Sequence, residues 1–247
     1  MTLPQTNLQL YQEMIQHGAS ASELESVRNA YNISRLLFGD CFRPSHKPFV
    51  CHLVGTAGAL AMWQQPVPMV VAGMLHSVYL FGRFGDGDRG PTPRRRQWLI
   101  QQVGNEAEDL VWRYSSQRWN RPIQEMLELC VDDEGFGEIL TLKFADTLDE
   151  LSDGGPSYSV EKPIVFGLLN ERTRNDTLIS AVASVVSKQA ADQYQSVLSK
   201  NDTLAIPSEL KTSDRSFHAV ETGIDQLRRG KLHQCVNKWA RKLRRVA

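Results

Sequence analysis

Apolar residues recur at helical spacing along most of this chain. Leu8, Tyr11 and Ile15 share one side of a short segment that His17-Gly18 closes. Ser22 with Glu25 forms a capping-box pattern, and Leu24, Val27, Tyr31 and Phe38 then mark the buried side of the next helix. After a loop over Gly39 to Pro48, the pattern predicts a helix from Phe49 to Trp63, with His52, Thr56, Ala59 and Trp63 along one stripe. Pro66 and Pro68 open a segment that is apolar all round from Val67 to Leu75, as a central helix would be, with His76 near its end. Gly82 to Pro93 contains four glycines and two prolines and reads as an irregular loop. Helices are predicted over Arg94 to Val103 and Glu106 to Tyr114, split by Gly104, then over Pro122 to Val131 and Glu138 to Leu151. Asp176 is placed to cap a long helix with Ile179, Val182, Val186 and Ala190 inside. Asn201 to Ser216 reads as an extended connection, and a last helix is expected from about Gly223 to Val246. There is no run of period-2 alternation, so the predicted fold class is all-α.

Composition narrows the class. The chain has 247 residues, with 28 Lys plus Arg balancing 28 Asp plus Glu. That balance gives no strong nucleic-acid signal. Met1 to Leu10 lacks the charged and then apolar sequence of a signal peptide. The apolar run Val67 to Leu75 is well short of the ~20 residues of a membrane span. Cys41, Cys51, Cys130 and Cys235 show no CxxC spacing and read as reduced thiols of a cytoplasmic protein.

The candidate chemistry lies on three apolar helices. His52 and His76 are 24 residues apart, and Asp146 follows 70 residues later. An ionisable group is costly to bury on such a helix without a partner. Two imidazoles and a carboxylate form a minimal ligand set for one divalent transition metal (Fe, Mn or Zn). Taken singly, a histidine on an apolar helix is more often a hydrogen-bonded core residue than a ligand; the joint pattern with Asp146 reverses that reading. Around the metal candidates, His46 is a fourth ligand, a general acid or a solvated loop residue. Arg43 and Lys47 either hold an anionic substrate or belong to a solvated loop. Tyr79, three residues after His76, is expected on the same helix side, as a proton donor or a core aromatic. Asp86 and Asp88 are lid acids or turn residues.

Quoted in order, these pieces resemble the HD-domain superfamily. Arg43-Pro44-Ser45-His46-Lys47-Pro48-Phe49-Val50-Cys51-His52 is similar to the segment leading into the first metal histidine of its RelA/SpoT-type guanosine tetraphosphate hydrolase branch. Ala72-Gly73-Met74-Leu75-His76-Ser77 resembles that branch's Ala-Ala-Leu-Leu-His-Asp, and Leu142-Lys143-Phe144-Ala145-Asp146 its Lys-Leu-Ala-Asp. The resemblance implies an all-helical domain over about residues 25–155, with His52, His76 and Asp146 on a metal. It also leaves departures. Ser77 stands where the family carries a metal-binding aspartate, able to bridge two ions. Val78-Tyr79-Leu80-Phe81 lacks the acidic pair that the hydrolase branch uses, and Glu150 stands where that branch has asparagine. Together with the His46-x5-His52 spacing, His-Ser-aliphatic-Tyr resembles an HD-like subgroup of unknown chemistry.

The expected organisation is an N-terminal helix over 1–24, an HD-like metal-binding domain over 25–155, and a C-terminal helical extension over 156–247 packed on the core. The leading expectation is a metal-dependent hydrolase of a small anionic, phosphoester-like substrate. The ion would lower the pKa of a bound water. Arg43, Lys47 and His46 would neutralise the anion, and Ser77 would orient the water. Two alternatives stay open. The same two-His-one-carboxylate set suits a non-haem iron oxygenase. Loss of the aspartate also suits a catalytically retired binding or regulatory protein. The last predicted helix carries an apolar stripe of Leu232, Val236, Trp239, Leu243 and Val246 amid eight Lys and Arg. It reads as docked on its own domain, or as a contact for an anionic membrane or a protein.

Overall fold

The computed structural model describes residues 2–86, 90–133, 135–158, 175–211 and 218–219. Among these the fold is all-α. Helices α1 (Asn7–Gln16) and α2 (Ala21–Phe38) precede α3 (Phe49–Met62), α4 (Val67–Leu75) and the short α5 (Val78–Phe81). Then come α6 (Pro93–Val103), α7 (Asn105–Ser115), α8 (Ile123–Asp132), α9 (Phe136–Ser152), α10 (Asn175–Val185) and α11 (Lys188–Asp202). One two-residue antiparallel pairing joins Cys41–Phe42 to His218–Ala219.

Helix α3 is the axis of the molecule. Every residue from His52 to Met62 is buried, and α4 and α9 pack against it. Its apolar sequence therefore belongs to a helix surrounded by others. Pro48 and Pro66 cap α3 and α4; a proline's fixed φ suits a helix entry, and its missing N–H is not needed there. Hydroxyls set the register of the surrounding helices. Ser34 on α2 donates to the Met74 carbonyl of α4 at 2.8 Å, and Tyr194 on α11 donates to the Phe144 carbonyl of α9 at 2.6 Å. Gly104, at φ 86°, breaks α6 from α7 as its sequence position predicts.

Three local expectations need correction. The α2 cap is Ser20 paired reciprocally with Glu23, not Ser22 with Glu25. The long helix expected from Asp176 is two helices, because the Ser187 hydroxyl accepts from the Ala190 N–H at 3.1 Å and starts α11 afresh. The α4 helix stops at Leu75, and a new turn starts at Val78, which breaks the regular spacing between His76 and Tyr79. No helix among the described residues is long and apolar enough to cross a membrane. Cys41, Cys51 and Cys130 are free thiols. Cys235, Asp88 and the basic helix expected near the C-terminus lie outside the described residues.

Candidate metal centre

Three elements bring the centre together. His52 lies in the first turn of α3, His76 caps the C-terminus of α4, and Asp146 lies on α9. All three are buried, and their donor atoms lie within 4.8 Å of one another. Each histidine is tied by Nδ1. His52 Nδ1 is 2.8 Å from Asp149 Oδ2, and His76 Nδ1 is 2.8 Å from the Gly73 carbonyl. A carbonyl can only accept, so Nδ1 of His76 carries the proton and the lone pair of its neutral ring is on Nε2. Both Nε2 atoms face Asp146 Oδ1, at 3.2 Å from His52 and 3.6 Å from His76. The His52 contact is close enough for an ion pair but off the line of a hydrogen bond. Nε2 of His52 is thus a buried nitrogen with no hydrogen-bond partner.

The other oxygen of Asp146 is used differently. Its Oδ2 accepts from the Tyr114 hydroxyl at 2.7 Å and from Lys143 Nζ at 2.6 Å. These two donors aim Oδ1 at the imidazoles. Burial pushes the Asp146 carboxyl up, but Lys143 and the two histidines outweigh it and hold the group well below the usual carboxylate range. Burial drives His76 down to about 4 despite Asp146, so this ring is neutral and a competent donor. Burial and Arg43 oppose charge on His52; Asp146 and Asp149 outweigh them and raise it. Burial and the adjacent Asp146 charge keep Tyr114 protonated as a donor. Around the centre, the cations Arg43, Lys47 and Lys143 meet four carboxylates: Asp146, Asp149, Glu150 and Asp153. With His76 neutral, the four carboxylates exceed these three cations by one charge, which a proton on His52 or a bound cation would offset.

The remaining predicted residues are placed as follows. Arg43 is buried, pairs with Glu150 and lies over the Phe49 ring, 5.4 Å from its centroid; its Nε has no hydrogen-bond partner. Lys47 bridges Asp149 at 2.8 Å and Asp153 at 2.9 Å. Both residues expected to meet a substrate anion are therefore already paired with carboxylates. His46 is exposed, at φ 64° in the turn that joins them, and is not one of the clustered donors. Ser77 is buried between α4 and α5. The Tyr79 hydroxyl donates to Glu108 at 2.7 Å, and Arg96 binds both oxygens of the same carboxylate at 2.7 Å. Asp86 accepts from Arg95 of α6 at 2.9 Å. Two of the three consecutive arginines at 94–96 are thus held by acids.

Sequence reasoning gave no role to Asp149, Tyr114 or the Lys143 side chain. A carboxylate three residues after Asp146, on the same side of an apolar helix, was the available signal for Asp149. Tyr79→Phe tests the alternative reading of Tyr79. It removes a hydrogen bond to a buried carboxylate and is expected to cost about 1–2 kcal/mol of stability. Metal content should be unchanged, by melting and elemental analysis; loss of metal would tie Tyr79 to the centre.

The fold and this cluster define an all-α protein with a buried two-His-one-carboxylate centre. A family model described as "Domain of unknown function (DUF6817)" matches residues 39–118, which include His52, His76 and Tyr114 but not Asp146. No curated protein sequence matches the chain. Among solved structures, the chain is similar to a metazoan ortholog of SpoT described as hydrolysing ppGpp with a role in starvation responses. Identity is 18% and the TM-score 0.43, over 75% of this chain and 98% of that one. A likeness this distant decides nothing about chemistry.

Proposed function

We propose that this chain is an HD-like, metal-dependent hydrolase of a small anionic substrate of the phosphoester class. One observation carries the reading: two buried imidazoles, each tied at Nδ1, present Nε2 to a single oxygen of an ionised aspartate. The donor set fits a divalent transition metal, and the partnerless Nε2 of His52 is the atom such an ion would satisfy. His52, His76 and Asp146 would hold it. When bound, the ion supplies Lewis acidity and a water nucleophile at neutral pH. Tyr114 and Lys143 keep Asp146 aimed, and Asp149 keeps His52 aimed. Arg43 Nε is the cationic donor left for a substrate oxygen, so an anion would share this guanidinium with Glu150. His46, exposed on the same turn, would meet the substrate from solvent, and Ser77 would orient the water.

The test is elemental analysis of protein purified without chelator, followed by turnover of mono- and diester phosphates with Mn, Fe or Zn. About one equivalent of metal and metal-dependent phosphate release are expected. Rapid turnover of guanosine tetraphosphate is not expected, because Val78-Tyr79-Leu80-Phe81 is apolar and holds no acidic pair. Protein that neither carries nor binds Fe, Mn or Zn would overturn the reading. A second reading rests on the donor set. No other His, Cys, Asp or Glu among the described residues joins the cluster, and two His with one carboxylate suit an Fe(II) oxygenase. Iron with substrate-dependent oxygen consumption, and no hydrolysis, would favour it.

A further inference from the structure

We infer that Asp149 is a positioning residue of this centre, and that Gln5 on the N-terminal arm completes its hold on His52; the inference rests on the metal reading above. Asp149 is fully buried on α9. Its Oδ2 is bound to His52 Nδ1, Lys47 Nζ lies 2.8 Å from both oxygens, and Gln5 Nε2 donates to Oδ1 at 3.0 Å. A neutral imidazole has one N–H and one lone pair. Carboxylates face both ring nitrogens and can only accept. Asp149 is hydrogen-bonded to Nδ1 at 2.8 Å, whereas Asp146 Oδ1 lies 3.2 Å from Nε2 and off the hydrogen-bond line. The better bond puts the proton on Nδ1 and leaves the Nε2 lone pair for a cation beside Asp146. Asp149 thereby selects the tautomer that can bind metal and makes the ring a better donor.

The arm reaches this carboxylate over a gap in α3. A Cβ at Gly55 would lie 1.7 Å from Asp149 Oδ1 and 2.9 Å from Gln5 Nε2. A Cβ at Gly58, one turn further on the same face, would lie 2.7 Å from the Pro4 ring. These two glycines form a groove that seats the arm before α1 begins. Gln5 is fixed there from behind, since its N–H donates to the Gln9 side chain at 2.9 Å, and Gln9 also closes the Thr6 capping box. Gln5 and Asp149 are 144 positions apart in sequence, so the arm makes the orientation of a candidate ligand depend on the seating of the chain's first helix.

Two measurements on the full chain test this. The first is affinity for Zn and Mn, by competition with a chelating dye, in wild type, Asp149→Asn, Gln5→Ala and Gly55→Ala. Asp149→Asn is expected to weaken binding about 10–100-fold. Gly55→Ala should do the same by displacing the carboxylate. Gln5→Ala should weaken binding several-fold with little change in the melting temperature of metal-free protein, which a purely structural role would not produce. The second is the tautomer of His52 by nitrogen-15 NMR, at a pH where the ring is neutral, in wild type and Asp149→Ala. Wild type should carry the proton on Nδ1, and the variant should show mixed tautomers; Asp149→Asn serves if Asp149→Ala does not fold, with a weakened Nδ1–H bond expected. A wild-type proton on Nε2, or equal metal affinity in wild type, Asp149→Asn and Gln5→Ala, overturns the inference. If no protein binds metal, the functional reading falls, and the tautomer measurement still decides the role of Asp149.

Discussion

Asp146→Asn is expected to lose the metal and to destabilise the protein at the same time. The aspartate joins two systems. Its Oδ1 faces both imidazoles, and its Oδ2 is the counter-ion of Lys143, whose side chain is 7% exposed. Asparagine keeps the volume and can still accept from the Tyr114 hydroxyl. It cannot compensate the ammonium, and the ring of Trp119, its centroid 5.7 Å from Lys143 Nζ, does so only weakly. An uncompensated buried charge costs about 3–5 kcal/mol. For a chain of this size that is a fall in melting temperature on the order of 10 °C. Elemental analysis should find near-zero metal. A second substitution separates the two effects: Lys143→Met added to Asp146→Asn removes the stranded charge and should recover most of the stability without restoring metal. A single variant that keeps its metal would show that Asp146 is not a ligand. A double variant as unstable as the single would show that Lys143 is not the source of the cost.

The parts of the fold that were legible in sequence are those set by local rules. The proline entry at Pro66 and the all-apolar run of α4 located the helix that ends at His76, and Gly104 marked the break between α6 and α7. The misreadings arose where two local solutions compete. Ser20-Ala21-Ser22-Glu23-Leu24-Glu25 contains two overlapping capping boxes, and the chain uses the earlier one. Ser187 could continue a helix or start one, and its hydroxyl starts one. Tyr79 was expected beside His76 on the assumption of an unbroken helix; the break at His76-Ser77 sends its hydroxyl to Glu108 instead. The three clustered donors stood out because polar residues on apolar helices are costly and their order matched a known pattern. Their supports did not. The His52–Asp149 and Tyr114–Asp146 bonds join residues 97 and 32 positions apart, and no local periodicity encodes such a partner. The same holds for Arg43 and Lys47: two cations before a histidine read as an anion site until the fold pairs them with Glu150, Asp149 and Asp153. On the proposed reading, a substrate anion would have to compete with carboxylates already in place, which would favour one whose charge is engaged mainly by a bound metal.

Ser77→Asp is expected to tighten metal binding and to make folding stability depend on metal. Ser77 is 3% exposed and directly follows His76, whose Nε2 faces Asp146. In the family that the motifs resemble, this position is a metal-binding carboxylate. The wild type, with serine here and, among the described residues, only His52, His76 and Asp146 clustered, is expected to hold a single ion. Two cations ~3.5–4 Å apart need a bridging anion to offset their repulsion, and a neutral hydroxyl is a poor one. The aspartate supplies the missing charge. Buried without a cation it costs several kcal/mol, on the order seen for unpaired charges. The metal-free variant should therefore melt below the metal-free wild type, and added Mn or Zn should raise its melting temperature by more than it raises that of the wild type. Its affinity should be higher and its stoichiometry one or two ions. Any native activity that needs the open coordination position should be lost. Metal titration and melting curves for the two proteins side by side decide the matter. Two ions in the wild type, or a Ser77→Asp variant with unchanged affinity and a metal response no larger than the wild type's, would show that residue 77 does not face the centre.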